Sequence, residues 1–597
     1  MDEIDLDAPF VPLSIDDRTG IERAFADVGR HPAFRDIASR AADLPDRPVL
    51  PALTDFAQAR RNNDRARTDN LMAAQAAGLM PLVLHRLHAG DGDDDKLLNW
   101  LFDLVHQPSW SAAAHLPGRD IPESGAVVLE LGSTERAMTF AEIAEALGPW
   151  LERQAPRLLR SIRRGISPRR GGPFGEGAEV WGHPQQIGSR TTNNWTGVCC
   201  GCILAATVSL ERQGMPQPAA RARAIEGLRL FFDRAFTPDG ECDEGMGYWH
   251  YGVEMACMGL ARLDRAAIEA SMDLDRIRRM ANSPPRVLLI GTLFHASNDS
   301  PPRAAAPALA TTWLAALSGD PFLRAWGRSV TPAIRGLASA LRAMRYVPRR
   351  EPGLTLPPAP PARLLRDQQI AIFQRRLDDG HVISVSLEGG NNAENHNHND
   401  LGTIQIWIND RPVIAELGLP VYTADFFTDK RYTYLVVNSD GHCCPTINGQ
   451  MQRPGRDAQG EILGFGEQTG EFSLDLTRAY PPEAKLRQWT RHLHAPPDQP
   501  AFVQLEDRFE TDGAAEVIHH LWALEPIEID APNRVVRFPG AAVRLDPWPV
   551  TIEVRAFEAQ QINLRGAKKG QLVHRLDATY REPSGTLRVM TTIELKV

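Results

Sequence analysis

The chain has 597 residues, of which 43% are hydrophobic and 24% are charged, and its formal net charge is −9. This balance is typical of a globular protein with large apolar cores, and the length predicts roughly two to four domains. The modest negative charge disfavours nucleic acid and anionic membranes as partners, because both attract basic surfaces. An acidic ligand would need a local concentration of basic residues, and the densest run of arginines, residues 157–170, is more typical of a solvated helix face.

The sequence has no visible export or membrane signal. The N-terminus lacks a basic region followed by an apolar one, and no run of about 18 apolar residues occurs. We therefore expect a cytoplasmic protein with no membrane segment. The seven cysteines are an odd number, which is typical of reduced thiols. Cys199 and Cys202 lack a second cysteine pair at zinc-site spacing, which favours helix packing over metal binding.

Residues 1–345 show apolar residues at three- and four-residue spacing, which is typical of amphipathic helices. Capping residues precede several of these patterns, and Pro/Gly-rich stretches separate them. We predict one all-helical domain of about ten helices over residues 1–345. The clearest patterns lie at residues 139–164, 193–212, 221–236 and 252–267.

The pattern changes after residue 345. Residues 346–364 are rich in proline, which cannot continue a helix and favours an extended linker. Residues 365–597 instead contain short stretches with alternating apolar and β-branched residues, such as HVISVSLEG and EVIHHLWAL, separated by turn signals. We predict stacked antiparallel sheets, a β-sandwich, over 365–597, and therefore an α+β multidomain fold class.

Two histidines stand in the stretch NHNHNDLGTIQIW, residues 395–407. In an extended chain, residues two apart point to the same face, so His396 and His398 are expected to project together, away from the side that carries Asn395. Imidazoles can act as bases or as metal ligands, although a hydrogen-bonded turn is a common alternative. Two histidines and one carboxylate are a frequent zinc-ligand set, and Glu416 and His442 could complete one with His398.

A third polar cluster lies in the helical half. Asn193 and Asn194 precede a helical pattern and could be N-caps. The aromatic run from Tyr248 to Tyr251 could be core or a wall on which a sugar stacks. Nearby carboxylates also permit a glycoside hydrolase with a paired acid and base, drawn from Asp239, Asp243 and Glu244.

The motifs together resemble the heparinase II/III-like polysaccharide lyases, which include oligoalginate lyases. NNW, DG…EG…YW.YG, NHNHNDLG, E.G…Y and NSDGHCCPTINGQMQ occur in the family's order over residues 180–460. Each motif is weak alone, and their shared order is the specific signal. The resemblance implies an incomplete α/α toroid followed by stacked β-sheets, with substrate bound between them. It also implies β-elimination at a uronic acid, for which the enzyme must first neutralise the uronate carboxylate.

The resemblance also implies roles for individual residues. Asn194 would bind the carboxylate, His396 would act as base or neutraliser, and Tyr248 would transfer protons, with Tyr251 and Tyr432 as further candidates and Tyr434 a possible aid. Structural Zn²⁺ would be held by His398, Glu416 and His442. Two positions depart from the family pattern, since relatives often have His at position 194 and usually Asp at position 416. We assign substrate binding to Arg190, Asn193, Trp195, Glu244, Trp249, Asn395 and Arg431.

The implied partner is an acidic oligo- or polysaccharide, with imported oligosaccharides the expected substrate of a cytoplasmic enzyme and exolytic cleavage a hypothesis. Alginate, a glycosaminoglycan such as heparan sulfate and a bacterial exopolysaccharide all remain open as substrates. The oligomeric state is also open, a homodimer included. The alternatives are the toroidal glycoside hydrolase and a carbohydrate-binding protein without turnover.

Overall fold

The chain divides into two compact units. The first comprises Met1–Phe236, Tyr248–Ala281 and Ala305–Pro357, and the second comprises Thr237–Gly247, Asn282–Ala304 and Pro358–Val597. The second unit thus includes two short pieces from the helical half of the sequence. Most of the predicted linker, residues 347–358, lies outside the described residues. The computed structural model describes residues 4–62, 65–90, 92, 94–116, 128–166, 179–180, 192–303, 308–329, 333–334, 336–346, 359–423 and 425–596.

Helices dominate the first unit, as the sequence predicts. The described residues contain seventeen α-helical segments, more than the predicted ten or so. Proline explains part of the difference, because Pro149 is the second residue of one new helix and Pro156 the first residue of the next within the long pattern at 139–164. The helices are Arg18–Val28, Ile37–Ala42, Leu53–Arg61, Ala66–Ala89, Asp95–His106, Leu131–Ala146, Gly148–Gln154, Pro156–Ile166, Asn194–Arg212, Pro218–Arg234, Met246–Leu260, Arg265–Ser271, Leu274–Ala281, Ser283–Val287, Ala308–Ser318, Pro321–Ser329 and Leu337–Tyr346.

Helices Asn194–Arg212 and Met246–Leu260 approach each other closely through glycine. A Cβ on Gly201 would clash with the Met255 carbonyl, and a Cβ on Gly259 would lie 2.6 Å from the Gly201 oxygen. The small side chains therefore let the two backbones touch. The neighbouring cysteines of the CCGC stretch are buried thiols, and all seven cysteines of the chain are buried and outside disulfides.

The second unit contains three larger sheets with antiparallel pairing, as predicted. Val385 lies opposite Ile406 in the five-stranded sheet, and Leu505 lies opposite Thr591 in the eight-stranded one. The five-stranded sheet has the order Arg411–Ile414, Ile404–Ile408, Val382–Glu388, Ile370–Arg376, Ala362–Leu365. The four-stranded sheet has the order Thr446–Ile447, Ala515–Ala523, Leu572–Glu582, Thr551–Glu558. The eight-stranded sheet has the order Glu461–Gly466, Glu471–Asp475, Leu486–His494, Phe502–Thr511, Thr586–Leu595, Ala541–Asp546, Val535–Phe538, Glu528–Asp530.

One hydrophobic core joins the three sheets, and it includes Ile406, Leu505 and Leu576 from different sheets. Three short pairs complete the described strands: antiparallel Asn391–Asn392 with Gly455–Gln459, antiparallel Leu288–Ile290 with Leu293–Phe294, and parallel Val128–Leu129 with Glu179–Val180. The helical N-terminal and antiparallel C-terminal parts confirm the predicted fold class. Among the described helices, none has the length and apolar character that crossing a membrane requires.

Arg491 connects the eight-stranded sheet to two loops of the same unit. Its buried guanidinium donates to both carboxylate oxygens of Asp507, at 2.7 and 2.9 Å. It also donates to the carbonyl oxygens of Gly402 and Cys443, at 2.6 and 2.8 Å. Because these loops directly adjoin Leu401 and His442, Arg491 fixes the two chain segments that flank the polar cluster described below.

We predict that Arg491→Met destabilises the β unit by about 3–5 kcal/mol, because it leaves Asp507 buried and without its cation. Arg508→Met is the matched control, since this arginine lies on the neighbouring strand with a side chain that is 65% exposed. Its effect should stay within about 0.5 kcal/mol. Urea denaturation followed by circular dichroism measures both, and equal effects of the two variants would contradict this role of Arg491.

Candidate active site and metal centre

The centre of the site is a buried carboxylate in the segment HASNDS, residues 295–300. Asp299 is 1% exposed and accepts three hydrogen bonds. His396 Nδ1 lies 2.9 Å from its Oδ2, and His398 Nε2 lies 2.9 Å from its Oδ1. Arg431 Nη2 donates to Oδ2 at 3.0 Å. Asp299 therefore joins both histidines of the NHNHND stretch to one cation.

The two histidines do not project from an extended strand, so that expectation was wrong. Residues 393–396 form a turn, and His396 has the left-handed φ of 58°. Backbone contacts impose this shape, because Asp299 N donates to His396 O at 3.2 Å and His398 N donates to Asn298 Oδ1 at 3.2 Å. A left-handed backbone conformation at histidine costs free energy, and it persists only where surrounding contacts offset that cost. The two imidazoles thus converge through Asp299.

Charge and burial set the protonation of this group. Burial alone would raise the pKa of Asp299, but hydrogen bonds from His396 and His398 and the charge of Arg431 hold this pKa well below its ordinary value. The ionised Asp299 accepts a hydrogen bond from the Nδ1–H group of His396, which leaves Nε2 as the ring nitrogen that can act as a base. The Nε2 atom lies 3.7 Å from the Glu244 carboxylate, so this predicted substrate-binding residue stands beside the histidine.

Aromatic side chains border His396 on another side. The hydroxyl of Tyr422 lies 3.4 Å from His396 Nδ1, and the two rings stack with centroids 6.2 Å apart. The ring of Phe427 lies 5.9 Å from the imidazole, edge to face. The His396 side chain is 13% exposed, so an imidazole edge is accessible beside these rings.

The predicted metal ligands His398, Glu416 and His442 lie together. They are buried, and each offers a ligand atom within 4.8 Å of the others. Each is placed by its own local structure: Glu416 follows Ala415, whose N–H donates to Trp522 O at 2.9 Å, and His442 follows the turn Ser439–Gly441. The chain thus brings two nitrogen donors and one oxygen donor to one point.

The chemistry of this triad fits a bound cation. His442 Nδ1 lies 2.9 Å from Glu416 Oε2, while His442 Nε2 is buried and has no hydrogen-bond partner among the described residues. Burial alone would lower the pKa of His442, but the Glu416 carboxylate raises it to about 9. A buried nitrogen without a partner costs about 1–3 kcal/mol, a penalty that a metal ion would remove. The Asp299 bond to His398 also matches the carboxylate–histidine–metal arrangement common in metal sites.

A second histidine–carboxylate pair lies beside the triad and carries little charge. His295 Nε2 lies 2.9 Å from Glu388 Oε2. Burial lowers the pKa of His295 to about 4, and burial together with Glu416 raises the pKa of Glu388 to about 8. Burial thus favours the uncharged form of both groups. For Glu416, burial alone would raise the pKa, but the charge and hydrogen bond of His442 hold this pKa below its ordinary value, which favours an anionic ligand in the triad.

The helical unit holds the other predicted residues. Asn193 is the N-cap of the helix Asn194–Arg212, and its side chain accepts a hydrogen bond from Trp195 N at 3.1 Å. This is the capping role that the sequence allows for this residue. Asn194 is 2% exposed and contacts the helix that carries the aromatic run, since a Cβ on Gly252 would lie 3.3 Å from Asn194 Cα. Trp195 packs edge to face on His115, with centroids 4.7 Å apart. The two sequence motifs of this half thus lie in contact, at the first residue of one helix and within the other.

The residues of the aromatic run, 248–251, lie in different environments. Trp249 is 1% exposed and donates to Met280 O at 3.3 Å, which fits a core position rather than a sugar contact. The Tyr251 hydroxyl donates a short hydrogen bond to Glu135. Burial and the Glu135 carboxylate raise the pKa of Tyr251 well above its ordinary value, which disfavours it as a base. Tyr248 is half-buried, and it remains the first of the tyrosine candidates.

The remaining predicted residues of the β unit contact other polar groups rather than His396. Arg431 is 8% exposed and donates to Asn397 O at 2.8 Å as well as to Asp299, so its guanidinium points into the protein. Asn395 Nδ2 lies 3.4 Å from Asp243 Oδ2. The Tyr432 hydroxyl lies 3.4 Å from Asn397 Nδ2. Tyr434 donates to Asp425 at 2.9 Å, and Asp239 is exposed. Arg190 lies outside the described residues.

Sequence reasoning missed Asp299 and gave Tyr422 no role. The signal for Asp299 was available in HASNDS, where several polar residues follow the apolar strand Leu293–Phe294. Tyr422 stands at the end of the E.G…Y motif, which was used only to establish the family order. Neither pattern predicts a partner, because the contacts to His396 span 97 and 26 residues of sequence.

Neither a protein-family model nor a curated protein sequence matches the chain. Solved structures do match it. Heparinase III aligns with a TM-score of 0.59 at 13% identity, covering 98% of this chain and 93% of that one. The chain has the heparinase III fold. A heparan sulfate lyase from Pedobacter heparinus gives a TM-score of 0.53 at 12% identity over 96% and 87% of the two chains. A chondroitin AC lyase from Streptomyces coelicolor gives 0.51 at 14% identity over 97% and 82%.

These matches confirm the resemblance inferred from the motif order, at the level of the fold. They support the toroid-plus-sandwich class predicted from the sequence. At identities of 12–14% the heparinase III fold alone assigns no residue its role. The roles must therefore be argued from the contacts around His396 and the triad.

We predict that Asp299→Asn destabilises the β unit by about 3–5 kcal/mol, because it removes the charge that Arg431 and the two histidines share. Asp410→Asn is the control, since the side chain of Asp410 is 74% exposed and pairs with Arg303 at the surface. That variant should change stability by less than about 1 kcal/mol. Denaturant titration measures both, and a loss below about 1 kcal/mol for Asp299→Asn would show that the histidines find other partners.

Proposed function

We propose that the protein is a polysaccharide lyase that cleaves a uronic-acid-containing glycan by β-elimination. The observation that carries this proposal is His396, an accessible imidazole whose Nδ1 is bonded to an ionised, buried carboxylate, in a chain with the heparinase III fold. This arrangement is suited to moving a proton at Nε2, because Asp299 orients the ring and stabilises its protonated form. The solved neighbours reported above include a heparan sulfate lyase and a chondroitin AC lyase, which supports an acidic glycan as the substrate.

The reaction breaks one carbon–hydrogen bond and one carbon–oxygen bond and forms one carbon–carbon double bond. A base removes the proton on the carbon next to the uronate carboxylate, the bond from the neighbouring ring carbon to the linking oxygen breaks, and a carbon–carbon double bond forms. The departing oxygen takes up a proton. We assign His396 to proton removal or to neutralising the carboxylate, and Tyr248 to proton transfer at the leaving oxygen. Asn194 is assigned to binding the carboxylate, as the motif resemblance implies.

Asp299 is the positioning residue of this proposal. It does not face the substrate, because it is fully buried beneath the histidines. By fixing Nδ1 of His396 it selects the tautomer in which Nε2 is basic, which is the role a buried carboxylate plays towards a catalytic histidine elsewhere. Tyr422 is a further candidate for proton transfer, since its hydroxyl lies 3.4 Å from the same imidazole.

The triad His398, Glu416 and His442 is assigned to Zn²⁺ in a structural role. Two imidazole nitrogens and a carboxylate are typical zinc donors, and in the described part of the chain the buried Nε2 of His442 has no hydrogen-bond partner. A bound Zn²⁺ would cross-link the segment that carries His398 to the loops that carry Glu416 and His442. The proton chemistry is left to His396, whose two nitrogens face Asp299 and Glu244.

The hydrolase alternative has weaker support. It needs two carboxyl groups that face one glycosidic bond, but Asp239 is exposed and Asp243 is bonded to Asn395. Burial raises the pKa of Asp243 to about 6, which gives this residue the character of a general acid. A hydrolase also gives no role to the triad or to the histidines held by Asp299.

We predict that the purified protein generates ultraviolet absorbance from the new conjugated double bond when it is incubated with a uronate glycan. The panel is heparan sulfate, chondroitin sulfate and alginate, each as polymer and as oligosaccharide. His396→Ala should lower kcat at least about 100-fold, because general acid–base groups contribute about 100- to 10,000-fold. Tyr248→Phe should give a similar loss.

His492→Ala is the control for the histidine variant, since His492 lies on the strand Leu486–His494, away from this cluster, with a side chain that is 37% exposed. New reducing ends without absorbance would instead favour the hydrolase. Binding of glycan without any product would favour a carbohydrate-binding protein. Comparing early product sizes from the polymer and oligosaccharide arms tests the exolytic hypothesis.

We also predict one zinc ion per chain in the purified protein. His442→Ala should lose the zinc and lower the melting temperature, because it removes one of three donors. His520→Ala is the matched control: His520 is equally buried in the same unit but pairs with Asp577 at 2.7 Å. It should lower stability while the zinc content stays at one. Metal analysis of the dialysed proteins measures the zinc content per chain. Zinc retained by His442→Ala would contradict the assignment.

A further inference from the structure

Three aromatic rings form a continuous group beside His396. We call Tyr422, Phe426 and Phe427 the aromatic lip. Their centroids lie 4.9 Å apart for Tyr422 and Phe426, 5.0 Å for Tyr422 and Phe427, and 5.1 Å for the two phenylalanines. Phe426 is fully buried, whereas Phe427 is 55% exposed. The lip is therefore anchored at one ring and presents another to solvent.

Neighbouring groups pack against the aromatic lip and against the chain that precedes it. Arg431 lies over the Phe426 ring at 4.5 Å and over the Phe427 ring at 5.9 Å. The chain before the lip is paired with a second loop, because Val421 and Asn563 exchange two hydrogen bonds of 2.8 Å. A single exposed phenylalanine needs no explanation, but one that packs among these rings 5.9 Å from the candidate catalytic imidazole does.

A cation completes the lip on its outer side. The Arg565 guanidinium lies 4.4 Å above the Tyr422 ring, and its backbone N–H donates to Leu419 O at 2.9 Å. Arg565 is exposed, and no carboxylate of the described residues forms an ion pair with it. Stacking on Tyr422 orients the planar guanidinium while its edge stays available for an anion. This charge is notable in a chain whose net charge is −9.

We propose that the aromatic lip and Arg565 form a saccharide subsite next to His396, which binds a sugar ring that carries a carboxylate or sulfate group. The apolar face of the sugar stacks on Phe427, and the anionic group pairs with Arg565. Ligand sites typically combine aromatic walls with a few placed polar groups in this way. The proposal rests on the proposed lyase function, because it places the sugar beside the residue assigned to the chemistry.

Phe427 and Arg565 are the members of the subsite that have no part in the proposed proton transfer, so they should act on binding. Phe427→Ala should raise KM about tenfold and change kcat by less than about twofold, as expected for uniform binding of substrate and transition state. Phe427→Trp should restore KM because it keeps an aromatic face. Phe102→Ala is the matched control, since Phe102 is 53% exposed in the helical unit.

Arg565→Gln tests the charge. It should raise KM and weaken its dependence on salt, because an exposed ion pair is screened as ionic strength rises. Arg544→Gln is the control, since the Arg544 side chain is 52% exposed on the eight-stranded sheet. Heparan sulfate oligosaccharides and their desulfated forms separate the two anion sources. An Arg565 effect lost on desulfation indicates sulfate, and one that persists, as with alginate oligosaccharides, indicates carboxylate.

Calorimetric binding to His396→Ala keeps this test separate from that of the lyase function. If no glycan is turned over but Phe427→Ala and Arg565→Gln in the same background still weaken oligosaccharide binding about tenfold, the subsite stands and the lyase proposal fails. If turnover is observed while both variants keep the KM of their controls, the subsite is overturned and the lyase proposal stands. Losses in kcat without a change in KM for both variants would also overturn the subsite, because they would give Phe427 and Arg565 a role in the reaction rather than in binding.

Discussion

The site depends on one buried carboxylate. Asp299 is inaccessible to solvent, yet it remains ionised because it accepts hydrogen bonds from two histidines and an arginine. Each carboxylate oxygen binds a different histidine: Oδ2 contacts His396, and Oδ1 contacts His398. One imidazole keeps an accessible edge beside the aromatic lip, while the other is buried against Glu416 and His442. A single residue thereby supports both a proton-transfer group and a metal centre. Removing one member of such a buried network costs more than the net stability it adds, so the group behaves as a unit.

Part of this site is readable from the sequence. The order of His398, Glu416 and His442 predicts a ligand triad, and these side chains do lie together in the fold. Asp299 could not be paired with them, because its contacts span about one hundred residues and its own segment follows no motif used in the prediction. The left-handed turn at His396 was equally inaccessible, since a two-residue period assumes extended backbone and the turn is imposed by tertiary hydrogen bonds. Similarly, the helical pattern could not distinguish the buried Trp249 from the half-buried Tyr248 next to it.

The fold was more predictable than the site, for physical reasons. Strands such as Val382–Glu388 and Phe502–Thr511 are rich in β-branched and aromatic residues, and their local pattern agrees with the sheets they join. The helical half was read correctly as a class, but prolines divide its long patterns into more segments than periodicity alone suggests. The assignment of Thr237–Gly247 and Asn282–Ala304 to the β unit depends on long-range contacts, which no local pattern encodes. These two pieces supply Glu244 and Asp299.

The central claim is that Asp299 separates the roles of two neighbouring histidines. The most direct measurement is zinc content and turnover on the same preparations of His396→Ala and His398→Ala, compared with the unaltered protein. We expect that His396→Ala keeps one zinc per chain and loses turnover, whereas His398→Ala loses zinc and melts at a lower temperature. Loss of zinc in His396→Ala, or full zinc occupancy in His398→Ala, would contradict it.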